Sequence, residues 1–212
     1  MENDIMLTLK TFIGLTEEKA ENNDGDKKIA VFTFGRFNPP TKGHEKLVNK
    51  TLEVAKEKGA DDFIFPSQTV DKKQDPEKSK NPLNWNTKVG FMKQVFPQAN
   101  IMKISEVKTP HHVIEYLEKE GYTDVYLVVG SDRVKEFEDR WLPYATEAFD
   151  NAGVISAGAR DPDAEGVSGM SATKARDASK EGDIGKFRAA TGWGGEVAIK
   201  MMRAVRKGMG VE

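Results

Sequence analysis

Apolar residues fall into two alternating patterns from residue 29 onwards. Short runs rich in β-branched and aromatic residues indicate buried strands, and stretches with apolar residues at helical spacing separate them. The predicted strands are residues 29–34, 63–65, 101–104, 125–129 and 154–157. The predicted helices are residues 47–58, 85–96, 109–121, 132–141, 144–149, 171–180 and 196–207. Gly59 is expected to end the first helix and Pro110 to begin the third.

This alternation of strands and helices predicts βαβ units, which form a parallel sheet with helices against it. We therefore expect an α/β fold: a Rossmann-like, doubly wound parallel five-stranded sheet with helices on both faces. Ligands of such sheets bind beyond the carboxyl ends of the strands. The loops that follow the predicted strands are therefore the first places to look for a functional site.

The first 28 residues differ from the rest of the chain. Ile5, Leu9 and Phe12 share one helical face, whereas residues 21–28 are polar and have no periodicity. We predict an N-terminal helix and polar linker over residues 1–28, followed by one domain over residues 29–212.

Composition narrows the classes of function. The chain of 212 residues has 32 basic and 34 acidic side chains and a formal net charge of −2, so the basic surplus of a general nucleic-acid binder is missing. The absence of cysteine excludes disulfides, thiol nucleophiles and zinc–thiolate sites. No apolar run approaches the roughly 20 residues that a membrane helix needs. We expect a soluble, cytoplasmic protein with no nucleic-acid or membrane partner.

The loop after the first strand carries the strongest chemical signal. Residues 35–44 have the sequence GRFNPPTKGH and lead into a helix. Backbone N–H groups and the helix dipole favour anions at such a point. His44 adds an imidazole donor, Thr41 adds a hydroxyl, and Gly43 permits close approach to the backbone. These features predict a phosphate site, although the loop is neither a P-loop nor a dinucleotide fingerprint.

This loop resembles the signature of the nucleotidyltransferase superfamily, G-x-F-x-P-x-[HT]-x-G-H. The matching positions are Gly35, Phe37, Pro39, Thr41, Gly43 and His44. The resemblance implies that His44 and Thr41 are catalytic. It also implies nucleotide binding by the loop and the helix start, through Gly35, Arg36, Phe37, Asn38, Gly43 and His44. The alternative is a turn that only connects strand to helix.

A second segment resembles the later motif of the same superfamily, I-S-S-T-x-I-R. Ser171, Thr173 and Arg176 match, whereas Ala172 replaces the second serine. Hydroxyls and N–H groups at a helix start suit phosphate oxygens, and an arginine can bind a phosphate through two donors. The resemblance implies that these three residues bind the nucleotide and that Arg176 is also catalytic. The alternative is an ordinary helix cap with an exposed arginine.

Three further resemblances concern the substrates. Gly130 and Asp132 are similar to the G-x-D of pyridine-nucleotide adenylyltransferases, which implies a nucleotide contact. The same family implies acceptor contacts by Trp141 and by Lys88, the alternatives being a packing aromatic and a solvent-facing lysine. Thr41 instead resembles phosphopantetheine adenylyltransferase, so the two indications of specificity conflict.

The resemblance implies a reaction that moves a nucleoside monophosphate from an NTP to a phosphorylated small molecule, with release of pyrophosphate. ATP is favoured over CTP by the second motif, and nicotinamide mononucleotide is the first candidate acceptor. Mg²⁺ is expected to arrive on the NTP phosphates, without a metal site of the protein. The alternatives are a cytidylyltransferase acting on a sugar, alcohol or headgroup phosphate, and a non-catalytic, virion-associated nucleotide-binding protein.

The N-terminal helix has a separate resemblance. Residues 6–17 are similar to the short head-packaging leaders of large tailed phages, which end in Leu-x-Glu, and residues 15–17 fit that signal. A phage protein would function in the host cytoplasm or the virion interior. A dimer-contact helix or a frayed terminus are the alternatives. The superfamily resemblance also implies a possible homo-oligomer.

Overall fold

The computed structural model of the chain describes residues 27–158 and 170–211. The predicted N-terminal helix and the phage-like leader therefore lie outside the described residues. The strands are β1 (Ile29–Gly35), β2 (Asp61–Pro66), β3 (Asp124–Val129) and β4 (Asn151–Ser156). The helices are α1 (Lys42–Lys58), α2 (Trp85–Val95), α3 (Pro110–Lys119), α4 (Val134–Arg140), α5 (Leu142–Ala148), α6 (Ala172–Glu181), α7 (Ile184–Thr191) and α8 (Gly195–Met209).

The four strands form one parallel sheet in the order β2-β1-β3-β4. This confirms the predicted α/β fold with a parallel sheet. The chain leaves β1 toward β2 on one side and later returns to β3 on the other side of β1. The order of strands therefore reverses between β1 and β3, and the crevice beyond this reversal is where such sheets bind ligands.

The sheet has four strands among the described residues, not the five predicted. Ile101 forms only an isolated parallel bridge with Ile64 of β2. Beyond that bridge the pairing stops, because the segment turns away and its carbonyls meet a side chain. Gln68 Nε2 lies 3.1 Å from the carbonyl oxygen of Ile104 and 2.9 Å from that of Ser105.

Alternation along β1 places core side chains on both faces of the sheet. Val31 packs with residues of α1, whereas Ala30 and Phe32 pack on the opposite face. The α1 face continues into a cluster formed with α2, α6, α7 and α8. The opposite face is covered by α3 and α5, with residues of α4 packed against it. Helices therefore lie on both faces of the sheet.

Local signals set the helix ends. Asn84 caps α2 by accepting from the backbone N–H of Thr87 at 3.0 Å, and Thr109 caps α3 just before Pro110. Gly59 ends α1 in the left-handed conformation at φ 61°, as its position in the sequence predicts. Among the described residues, no helix combines the length and apolar character needed to cross a bilayer.

Candidate functional site

A cleft of about 370 Å³ opens at the carboxyl ends of β1, β3 and β4, at the reversal of strand order. Four stretches of the described residues line it. They are the end of β1 with the following loop (Thr33, Phe34, Gly35, Arg36, Phe37), the start of α1 (Gly43, His44, Lys46, Leu47), the segment after β3 (Val129, Gly130, Asp132, Arg133, Phe137) and the segment after β4 (Ala157, Gly158). The structure thus brings together the 35–44 loop and the Gly130–Asp132 turn, as the sequence predicts.

The His44 ring is held by the residue that caps its own helix. The backbone N–H of Thr41 donates to Nδ1 of His44 at 3.0 Å, and Thr41 Oγ1 lies 3.0 Å from the same nitrogen. A backbone N–H can only donate, so Nδ1 must be the acceptor. The proton of the neutral ring is therefore on Nε2, which makes Nε2 the donor of an imidazole that lines the cleft.

Phe37 and Gly35 support the other side of this ring. Phe37 is fully buried with φ 46°, and its ring centroid lies 5.0 Å from that of His44. A Cβ on Gly35 would lie 2.8 Å from the Phe37 ring, so only glycine fits there without a shift. Gly35 and Phe37 therefore shape the cleft around His44.

Packing between two segments of the chain is a second reason for a glycine at position 43, besides the predicted approach of a ligand. A Cβ at this position would lie 2.6 Å from the carbonyl oxygen of Met170. Met170 directly precedes the Ser171 cap of α6, so the missing side chain lets the second motif approach the start of α1. The sequence pattern predicts that Gly43 permits close approach of a ligand. The structure adds close approach of the neighbouring backbone.

The second motif contacts the 35–44 loop but lies outside the lining of the cleft. Ser171 caps α6 by accepting from the N–H of Thr173 at 3.2 Å. Arg176 donates through Nη1 to the carbonyl oxygen of Asn38 at 2.9 Å and through Nη2 to Thr173 Oγ1 at 3.0 Å. Burial and then the neighbouring Arg36 lower the pKa of Arg176 below its ordinary value. The motif therefore combines helix capping with a direct contact on the loop.

Asp132 faces its own turn. A Cβ on Gly130 would lie 2.7 Å from Asp132 Oδ1, so the glycine makes room for this carboxylate. Both residues line the cleft after β3. Arg133 pairs with Glu136 at 2.7 Å within the next turn, and its positive charge is thereby partly balanced.

Trp141, which the resemblance predicts as an acceptor contact, is buried in the core. It is 1% exposed, packs edge-on against Phe32 with ring centroids 5.6 Å apart, and donates from Nε1 to the carbonyl oxygen of Pro110. The ring and its polar atom are both used inside the protein. The packing alternative that the sequence left open is therefore the one that the structure supports.

We expect Trp141→Phe to lower the free energy of unfolding by about 1–3 kcal/mol, because it removes a buried hydrogen bond and part of a core ring. The KM for the acceptor should stay within about twofold of wild type, because a ring buried in the core does not contact the substrate. Chemical denaturation and steady-state kinetics measure the two quantities. A raised KM for the acceptor with unchanged stability would instead support the predicted contact between Trp141 and the acceptor.

Lys88 is buried, so it is not the solvent-facing lysine that one of the two alternatives predicted. It is 0% exposed, and its Nζ donates to the carbonyl oxygen of Ser67, outside the lining of the cleft. Burial, with a smaller repulsion from Arg36, lowers the pKa of Lys88 to about 8. Since the N–H of Ser67 also donates to the carbonyl oxygen of Gly35 at 2.7 Å, Lys88 supports the chain just beyond β1 and β2.

The lowered pKa of Lys88 predicts a pH dependence of stability. Between about pH 8 and the ordinary value of 10.5, the unfolded chain binds more protons at this side chain than the folded chain does. The unfolding free energy of wild type minus that of Lys88→Met should therefore rise across this interval. Denaturation curves at pH 7.5 to 10.5 measure it, with Lys93→Met on the exposed side of α2 as the control. A flat or falling difference for Lys88 contradicts the assignment.

Two supporting contacts were missed by sequence reasoning. Trp193, in the turn between α7 and α8, donates from Nε1 to the carbonyl oxygen of Pro40 at 3.1 Å. The buried Asn38 side chain donates to the carbonyl of Leu83 and accepts from its N–H, both at 2.9 Å. Both contacts hold the 35–44 loop from distant parts of the chain. The glycine-rich setting of Trp193, residues 192–195, is the only local signal that pointed to a turn there.

Carboxylates and histidines do not gather into a metal site in the part of the chain that the structure describes. No group of three or more such side chains could hold an ion there. The cleft instead has basic side chains at its border: Arg36 and Lys46 line it, and Arg176 lies near Arg36. This donor set suits an anionic ligand that brings its own cation.

Comparison with known proteins identifies a family for most of the chain. The model of the cytidylyltransferase-like family matches residues 32–178, which contain the 35–44 loop, the Gly130–Asp132 turn and the Arg176 motif. A protein of Pelagibacter ubique named as a probable nicotinate-nucleotide adenylyltransferase is 26% identical over 133 residues. That alignment covers 59% of this chain and 69% of the relative.

A second relative and a solved structure are also similar to this chain. A probable nicotinate-nucleotide adenylyltransferase of Acholeplasma laidlawii is 29% identical over 123 residues, covering 52% of this chain and 57% of the relative. A solved structure from Vibrio parahaemolyticus, provisionally named a nicotinate-nucleotide adenylyltransferase, superposes with a TM-score of 0.51 at 18% identity. It covers 84% of this chain and 99% of its own, which is a likeness of fold.

Proposed function

The chain belongs to the cytidylyltransferase-like family of nucleotidyltransferases, and on this premise we propose that it transfers AMP from Mg²⁺·ATP to a pyridine mononucleotide. The acceptor would be nicotinate or nicotinamide mononucleotide. The relatives from Pelagibacter ubique and Acholeplasma laidlawii support an adenylyl transfer of this kind. Mg²⁺ enters bound to the ATP phosphates, as part of the substrate.

The proposed reaction is one displacement at the α-phosphorus of ATP. A phosphate oxygen of the acceptor forms the new P–O bond, the bond to the bridging oxygen of the β-phosphate breaks, and pyrophosphate leaves with that electron pair. The acceptor oxygen is already anionic, so no general base is required. Catalysis then depends on positioning and on stabilising negative charge in the transition state.

His44 is proposed to stabilise that charge. Because Thr41 fixes Nδ1 as an acceptor, the neutral ring carries its proton on Nε2, and this N–H is proposed to donate to a phosphate oxygen. This arrangement, at the cleft where the strand order reverses, is the observation that carries the proposal. Thr41 is buried and acts through the ring that it orients.

The basic residues around the loop are proposed to hold the phosphates. Arg36 borders the cleft, and Arg176 lies next to it on the carbonyl of Asn38. We place the β- and γ-phosphates on this side, with Ser171 and Thr173 at the start of α6 close to the same loop. Gly130 and Asp132, after β3, are proposed to contact the nucleoside part of the NTP.

Pyrophosphate release tests the proposal. The protein is incubated with Mg²⁺ and ATP or CTP, together with nicotinate mononucleotide, nicotinamide mononucleotide, phosphopantetheine, choline phosphate or ribitol phosphate. Release with ATP and a pyridine mononucleotide is the expected result. Release only with CTP and an alcohol phosphate would make the chain a cytidylyltransferase. No release with any pair, despite nucleotide binding, would indicate the non-catalytic alternative.

A further inference from the structure

The long connection between β2 and α2, residues 67–84, is organised around one carboxylate. Asp71 Oδ2 accepts from Ser79 Oγ at 2.7 Å, from the N–H of Lys80 at 3.0 Å and from the N–H of Asn81 at 2.8 Å. The N–H of Asp71 in turn donates to the carbonyl oxygen of Asn81 at 3.1 Å. These bonds close the loop between residues 71 and 81 without a helix or strand.

The closed loop packs against the last helix, α8. Gln74 Nε2 donates to the carbonyl oxygen of Lys207 at 2.9 Å. The backbone of Pro82 lies so close to α8 that a Cβ on Gly208 would be 1.9 Å from the Pro82 carbonyl oxygen. The 67–84 loop is therefore held against α8 at Gln74 and Pro82, and its own fold is held by the bonds to Asp71.

Its far end reaches the candidate site. One residue after Pro82, the N–H and carbonyl of Leu83 are both bonded to the side chain of Asn38. The carbonyl oxygen of Asn38 accepts from Arg176. A continuous series of hydrogen bonds and short peptide links thus runs from Asp71 through Leu83 and Asn38 to the guanidinium of Arg176.

Asp71 also acts on Arg176 through its charge. Burial tends to raise the pKa of Asp71, but the bonds from Ser79, Asn81 and Lys80 together lower it below its ordinary value, so the group is ionised at neutral pH. Asp71 is among the carboxylates that raise the pKa of Arg176 against the larger effect of burial. Its negative charge therefore favours the same cation that its hydrogen bonds help to place.

We propose that Asp71 is a positioning residue of the transferase: by closing the 67–84 loop it places Asn38 and Arg176 for binding the triphosphate of the NTP. It touches no substrate itself. The proposal rests on the proposed function, because it takes Arg176 to bind NTP phosphates. Asp71 lies outside the 35–44 loop and outside the Arg176 motif. Under this proposal it nevertheless sets the affinity for the NTP.

The test is Asp71→Asn in the full chain, which keeps the size of the side chain and removes its charge and an acceptor. If Arg176 is displaced, the KM for ATP should rise about tenfold while kcat changes less than about twofold, because a binding contact is weakened. Asp75→Asn is the matched control, since the contacts that the structure describes for the Asp75 carboxylate are with Glu77 and Lys78 of its own turn. It should leave both constants unchanged.

A double-mutant cycle separates positioning from general destabilisation. In the Arg176→Ala background, Asp71→Asn should change the KM for ATP by less than about twofold, because the group it acts through is gone. Equal effects in both backgrounds would overturn the proposal. If Asp71→Asn does not fold, Ser79→Ala, which removes one bond to the same carboxylate, decides the matter. It should raise the KM about threefold, and an unchanged KM overturns the proposal.

Calorimetric binding of a non-hydrolysable ATP analogue distinguishes a failure of the Asp71 proposal from a failure of the proposed function. A wild-type chain that binds no ATP analogue overturns both. Binding that is equally tight in wild type and Asp71→Asn overturns only the role of Asp71. Weaker binding in Asp71→Asn, with Asp75→Asn like wild type, supports it.

Discussion

Replacing His44 by alanine is expected to lower kcat for pyrophosphate release by about 100-fold or more, the effect of losing one donor to a developing charge. The KM for ATP should change much less, because the contact is strongest in the transition state. Thr41 holds Nδ1 and leaves the Nε2 proton as the donor of the ring. Steady-state kinetics with saturating acceptor measure both constants.

His44→Asn separates the two roles of this ring. The amide oxygen of asparagine can take the place of Nδ1 and accept from the N–H of Thr41, but it puts no donor where Nε2 stands. The alanine variant leaves the buried Thr41 N–H without this partner, which should cost about 1–3 kcal/mol of stability. Both variants should lose activity, and only alanine should also lose stability. Wild-type activity in His44→Asn would remove the donor role.

The parts of this protein that local sequence determines were predictable. The strand that ends at Gly35, the start of α3 at Pro110 and the left-handed glycine at Gly59 each depend on residues a few positions apart. The predicted meeting of the 35–44 loop with Gly130 also followed, since parallel strands end at one edge of the sheet.

Other features depend on contacts between distant residues and could not be predicted. Ile101 begins a strand by composition, but Gln68 Nε2 meets the carbonyls that follow it. Lys88 is polar in sequence and fully buried in the fold, because the carbonyl of Ser67 accepts from it there. Helix α7 was missed since residues 184–191 have only a short apolar pattern next to several glycines.

The two motifs also hold each other in place through contacts that their sequences do not reveal. Gly43 permits the carbonyl of Met170 to approach the start of α1, and Arg176 bonds the carbonyl of Asn38. A change in either motif should therefore alter the geometry of the other. Kinetic effects of substitutions in the two motifs are accordingly expected to be non-additive.

Arg176→Ala is the second large effect that we expect. It should lower kcat/KM for ATP by about 100-fold, mainly through KM, because a cationic group that binds phosphates in the ground state and the transition state is lost. Arg176→Lys should recover little of this. A single ammonium cannot reach the carbonyl of Asn38 and Thr173 Oγ1 in the planar geometry that the guanidinium provides.

Lys174→Ala is the matched control, because it removes one positive charge from an exposed position of the same helix. It should change kcat/KM by less than about twofold, as expected for exposed charges screened by water and salt. A similar loss in both variants would mean that the overall positive charge of α6 matters rather than the placed guanidinium. Full activity in Arg176→Ala would contradict phosphate binding by Arg176. The contacts of Arg176 with Asn38 and Thr173 would then be its whole role, and the triphosphate would have to bind through Arg36 and the start of α1.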